Sequence, residues 1–119
     1  MVRVLVDEDI DVEFQNHLGE GVLAETVQFR GWKGLKNGAL LRAAEADYDA
    51  LITMDDNLPN QQNLASFALA VIILRARSKQ LEHLLELLPS IQATLNKLTL
   101  GAAIRIYPTD TENTEELSS

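Results

Sequence analysis

Two short acidic runs carry the residues best suited to chemistry. Asp7-Glu8-Asp9 follows Val2-Arg3-Val4-Leu5-Val6, and Asp55-Asp56-Asn57 follows Ala50-Leu51-Ile52-Thr53-Met54. Each run closes a segment so apolar that it reads as a strand buried on both faces. Ligands of an open parallel sheet bind outside the carboxyl ends of its strands, so acids there point at a site and not into the core. Neighbouring parallel strands would bring Asp7 and Asp55 together. Carboxylate oxygens around one point, in a chain with no Cys and two His, are ligands for a hard divalent cation such as Mg2+ or Mn2+. Such a cation activates water and stabilises charge on a phosphate.

Two basic groups complete the list of candidates. Arg30-Gly31-Trp32-Lys33-Gly34-Leu35-Lys36-Asn37-Gly38 holds three glycines and three bases around the only Trp, a composition able to grip phosphate through Lys36 and stack a base on Trp32. The competing role for Trp32 is to cover the sheet edge. Arg75 and Arg77 close the apolar run Ala68 to Leu74. In a parallel sheet they rim the crevice that holds the acids and are placed to bind substrate phosphates. Solvated arginines at a strand end are the alternative. His17 and His83 have no partner at ligand spacing and read as surface.

The elements that must position these residues follow from periodicity. Ile10, Phe14 and Leu18 recur every four residues, the stripe of an amphipathic helix, with Asp9 mainly its N-cap and Gly19 and Gly21 its stop. Val22 to Phe29 is strand-like. Asn37 is a credible N-cap for a helix ending near Asp47, and Pro59 suits the first turn of a short helix carrying Gln61, Gln62 and Asn63. Ser78 is placed to cap a leucine-rich helical region from Lys79 to Leu98 that Pro89 kinks or divides. Ala102 to Tyr107 forms a last strand at an edge. This order predicts a three-layer α/β/α domain over residues 1–107, with right-handed crossovers and a mostly parallel sheet of about five strands, ordered second, first, third, fourth, last. Residues 108–119, acidic and almost without apolar anchors, predict a disordered tail.

Composition narrows the setting. At 119 residues the chain reads as one domain able to bury roughly two-thirds of its unfolded surface. The lack of Cys excludes disulfides, thiolate zinc sites and thiol catalysis and suits a reducing cytoplasm. With no apolar run near ~18 residues, a soluble intracellular protein without membrane contact is expected. The net charge is −8, but four of the 18 acids (Asp110, Glu112, Glu115, Glu116) lie in the tail, leaving 14 against 10 bases. Five more, Asp7 to Glu13, crowd the proposed site, where a dication would neutralise many of them. Acidity therefore does not exclude nucleic acid. The wide leucine face of residues 81 to 98 predicts a symmetric homodimer.

Over Met1 to about Ile106 the chain resembles the small PIN-like domains related to VapC toxins. The resemblance rests on the opening strand with Asp7-Glu8-Asp9, on Gly31 to Leu41, and on Asp49 to Leu58 followed by Gln61-Gln62-Asn63-Leu64. Its most specific motif is a strand ending in Thr53-x-Asp55-x-Asn57-Leu58. This implies a Mg2+- or Mn2+-dependent endoribonuclease, often the toxin of a toxin–antitoxin pair, in which Asp7 and Asp55 hold the cation and Glu8 or Asp9 with Asn57 completes its shell. Asn37 and Asn57 stand where the full site has acids, which lowers cation affinity and leaves a catalytically degenerate binding module as the alternative. The chain also resembles response-regulator receiver domains, through Asp7-Glu8-Asp9, Asp55 with Pro59, and Val71 to Ser78. It departs from them at Arg75, where a Thr or Ser hydroxyl is needed, and at Tyr107-Pro108, where a Lys-Pro is.

Overall fold

A computed structural model describes residues 1–108. Five strands, β1 (Val2–Val6), β2 (Val22–Thr26), β3 (Ala50–Thr53), β4 (Ala70–Leu74) and β5 (Ala103–Ile106), form one sheet in the order β2-β1-β3-β4-β5. Every pairing is parallel, with Val4 opposite Ala50 and Ala50 opposite Ala70. The expected architecture and strand order are both present. The order reverses between β1 and β3, so a crevice opens between their carboxyl ends.

Alternation along the strands divides the core. Val4, Val6, Ile52, Ile72 and Leu74 face one way and pack against Phe14 and Leu18 of the segment after β1 and against Leu84, Leu87, Ile91 and Leu95. Leu5, Leu51, Val71 and Ile73 face the other way, under Leu40, Leu41 and Ala44 of α1 (Asn37–Glu45) and Leu58 of α2 (Leu58–Gln61). A residue moved by one position along a strand would exchange one core for the other.

Several boundaries differ from expectation for local reasons. The segment after β1 is a 3-10 helix, Val12–His17, and its cap is Asp11, whose side chain accepts from the Glu13 N–H at 2.9 Å. Asp9 is thereby released from the capping role. Asn37 is the first residue of α1, and Lys36 occupies the N-cap without a side-chain bond. The leucine-rich region is two helices, α3 (Leu81–Leu85) and α4 (Leu88–Leu95), with Pro89 in the first turn of α4, where its missing N–H costs nothing. Gln80 is the N-cap of α3, while Ser78 Oγ accepts from the Gln80 N–H and pairs with His83 Nδ1 at 2.6 Å. His83 is therefore a half-buried partner of Ser78, whereas His17 is exposed as expected. Leu81, Leu85, Leu88 and Leu98 also pack on the core. The leucine face lines the interior of the domain, so a dimer no longer follows from it.

The crossovers are not all of one hand. β1 to β2 steps one way across the face bearing the 3-10 helix, and β2 to β3 and β3 to β4 step the other way across the α1 face, which gives these three the same hand. β4 to β5 continues in the second direction but carries α3 and α4 over the 3-10 helix face, so its hand is opposite. The physical reason is coverage. A six-residue 3-10 helix cannot bury that whole face, and exposing Ile72 and Leu74 would forfeit ~1.5–3 kcal/mol each.

The expected tail begins at Pro108, which is buried; the rest of it lies outside the described residues. Among the described residues no helix is long and apolar enough to cross a membrane.

Candidate functional site

The β1–β3 register brings the two acidic runs to one end of the sheet. The Asp7 N–H extends the ladder by donating to the Ile52 carbonyl at 2.9 Å, which seats the Asp7 side chain beside that of Thr53. Thr53 is fully buried, and its hydroxyl joins the two runs: it donates to Asp7 Oδ2 at 2.6 Å and accepts from the Asp55 N–H at 3.1 Å. Asp7 Oδ1 accepts from the Glu8 N–H at 2.8 Å. Asp55 Oδ1 accepts from the Asn57 N–H at 3.0 Å, and its Oδ2 accepts from Asn37 Nδ2 at 3.1 Å. Asn37 Nδ2 also donates to Gln61 Oε1 at 3.0 Å. Gly38 faces the Gln62 side chain, which a Cβ there would approach to 3.2 Å.

Asp9 lies close to Asp7 at the same end of the sheet. Its Oδ2 accepts from the Met54 N–H at 3.2 Å, while its Oδ1 is buried and, among the described residues, has no hydrogen-bond partner. Burial, with the Asp7 charge next in weight, pushes the Asp9 carboxyl up to about 6, against the pull of the Met54 N–H and the Lys79 ammonium. Burial likewise raises Asp7, opposed by its bonds from Thr53 and Glu8 and reinforced by the charges of Glu8 and Asp55. Asp7 thus stands at the switch point of the sheet with an acid on either side, repelled by Asp55 and itself repelling the partly desolvated Asp9. An oxygen-only donor set with one orphaned buried oxygen fits a hard dication by its chemistry. Among the described residues, no three His, Asp or Glu side chains form a group able to hold a metal ion as they stand; the acids are neighbours, not a closed cage.

The remaining candidates are dispersed. Glu8 is exposed and its Oε1 accepts from the Gly34 N–H at 2.8 Å, tying the basic loop to the strand end. Gly34, at φ 88°, tolerates a conformation that a side chain would strain. Asn57 is exposed ahead of α2, and Lys36 is exposed at the start of α1. Trp32 is half-buried against the α1-side core, edge-on to Tyr48 at 6.3 Å and with the Arg30 guanidinium 4.2 Å from its ring centre, so it covers the sheet. Arg75 pairs with Asp56, and Arg77 with Glu86 of the α3 C-cap at 2.9 Å. Arg105 and Lys79 were missed from sequence, and Thr53 and Asp9, though named there, take roles that spacing does not assign. Thr53 was signalled as the one polar side chain in a buried strand, and Arg105 as the one charge in β5. Asp9 in the crevice and Lys79 beside it depend on the turn after β1, which spacing alone does not specify.

Comparison of the chain with models of known families, with curated proteins and with solved structures finds no match.

Proposed function

We propose that this protein is a PIN-like, metal-dependent ribonuclease whose centre is Asp7, Asp9 and Asp55. The observation that carries this reading is the Asp9 oxygen, buried without a partner beside a second carboxylate of raised pKa. A structural acid in that position would be left with a desolvation cost of ~1–3 kcal/mol. A cation-binding acid would not. Drawn together from their ligand-free positions, Asp7, Asp9 and Asp55 would hold Mg2+ or Mn2+, which would supply an activated water and charge stabilisation at a phosphodiester. Thr53 fixes the Asp7 carboxylate toward the crevice, and Glu8 anchors the loop of Lys33 and Lys36 at its rim. Single-stranded RNA as substrate, a small antitoxin protein as partner, a homodimer and a cytoplasmic location belong to the same proposal through the resemblance to toxin-related PIN-like domains.

Asn37 supports a second reading. Its amide donates to Asp55 Oδ2, occupying one oxygen with a neutral group, so the domain acts as a binding module with a weakened cation site. One experiment separates the two. Mn2+ at a hundredfold excess over Kd should stabilise the protein by ~2.7 kcal/mol, visible as a rise of roughly 10 °C in Tm. An RNA pool cut only with Mn2+ supports the nuclease; a Tm rise without cleavage supports the binding module; no Tm rise removes the metal from both.

A further inference from the structure

A second charged cluster stands at the rim of the crevice, where β3, β4 and β5 end. Arg75 Nη1 pairs with Asp56 Oδ2, Arg105 Nε donates to Asp56 Oδ1 at 2.6 Å, and Arg105 Nη2 donates to the Asp56 carbonyl at 3.3 Å. Two guanidiniums share one carboxylate, so the trio keeps a net positive charge. Each guanidinium offers five N–H donors in a plane. Arg75 engages one nitrogen on Asp56 and Arg105 two, and their side chains remain 40% and 36% exposed. Both therefore present unused donors to solvent, held by a common anchor. The hydrogen bonds from Arg75 and then Arg105 hold Asp56 below its ordinary value, so the anchor stays ionised.

Arg30 shows what a purely structural arginine looks like in this molecule. One guanidinium there meets two carboxylates, Asp47 at 2.9 Å and Glu25 at 3.9 Å, and lies over the rings of Trp32 and Tyr48. Its charge is cancelled. At Asp56 the ratio is inverted, and the carboxylate belongs to the residue immediately after Asp55. Positive charge with a planar fork, one residue from the acids, is matched by a phosphate oxygen pair.

We propose that Asp56 positions Arg75 and Arg105 as one fork that binds a phosphate of the nucleic-acid strand lying next to the acidic crevice. The strand's identity rests on the proposed ribonuclease reading, but binding at the fork requires no metal. Arg77, paired with Glu86 on α3, is not part of it.

The test uses the whole chain in EDTA, with a single-stranded oligouridylate as probe at low salt, observed through the arginine Nε–Hε signals in a 1H–15N spectrum. Saturable shifts of the Arg75 and Arg105 signals are expected, with Kd weakened about tenfold in Arg105→Gln and the salt slope reduced by about 1. Arg105→Lys keeps the charge but loses the fork, and should weaken binding several-fold with an unchanged backbone spectrum. Asp56→Asn is decisive, because it removes a negative charge and yet should weaken binding by freeing the arginines. Tighter binding by Asp56→Asn, an unchanged Kd in Arg105→Gln or Arg105→Lys, or no shift of either arginine signal in the wild type would each overturn the fork. Failure of the metal centre is seen separately, as a missing Mn2+ response in a protein whose fork still binds the probe.

Discussion

The Arg30 latch and the acidic crevice are both polar clusters at the margins of the sheet, and they treat their polar atoms in opposite ways. In the latch the Tyr48 hydroxyl donates to Glu25 and accepts from Arg30, which also binds Asp47, so every charge has an opposite partner. In the crevice Asp7, Asp9 and Asp55 have mainly neutral backbone and side-chain donors, and one oxygen of Asp9 has none among the described residues. Satisfied networks rigidify a fold, whereas under-compensated ones raise the free energy of the ligand-free protein and leave binding energy for a ligand. The latch is therefore read as structure and the crevice as a site.

The largest effect expected from this contrast is at Asp7. Asp7→Asn should abolish the Mn2+ response and reduce RNA cleavage by at least about 100-fold, measured by Tm and by a gel assay on labelled RNA. Without metal the same variant should be more stable than wild type near pH 8, since one repelling charge is gone. A less stable apo variant would make Asp7 a structural residue like Tyr48.

Acid should act oppositely on Asp9 and Asp56. The folded-state pKa of Asp9 is raised to about 6 from 3.8, so the folded protein holds that proton more tightly than the unfolded chain does. Its contribution to stability is complete below the unfolded value and is lost as pH rises through about 6. After discounting for partial exposure this amounts to roughly 1–2 kcal/mol. Asp56, held low by its arginines, contributes above the unfolded value and loses its contribution as the pH falls. Urea titrations of the apo protein at pH 5 and 8 should find Asp9→Asn less pH-dependent than wild type between them. Equal slopes would mean that Asp9 is not desolvated.

On the latch side, Tyr48→Phe removes the hydroxyl shared by Glu25 and Arg30 and should cost ~1–3 kcal/mol in urea denaturation, with the Mn2+ response unchanged. A lost metal response would join the two regions into one unit. The smallest effect is at Trp32. Trp32→Phe keeps the cover over the core and should cost under ~1.5 kcal/mol with no change in affinity for oligouridylate; a several-fold loss of affinity would restore base stacking to this ring.

Periodicity and strand grammar made the five strands, their order and the meeting of Asp7 with Asp55 legible, because buried parallel strands are continuous apolar runs and their carboxyl ends are where acids are exposed. The roles of neighbouring acids were not legible. Asp9 and Asp11 are both good caps by type, and the 3-10 turn selected Asp11, which left Asp9 for the crevice. Arg77 and Arg105 were likewise indistinguishable in kind, and the pairing of β4 with β5 chose Arg105 as the partner of Asp56.

The amino-acid sequence by itself determined the layers of this protein, since each element's burial is written in the spacing of its own apolar residues. Only the tertiary structure decided which face α3 and α4 cover, which carboxylate is left unpartnered and which arginines share an anchor. Those outcomes depend on contacts between residues tens of positions apart, such as Asp9 with Met54 and Asp56 with Arg105, and no local spacing encodes them.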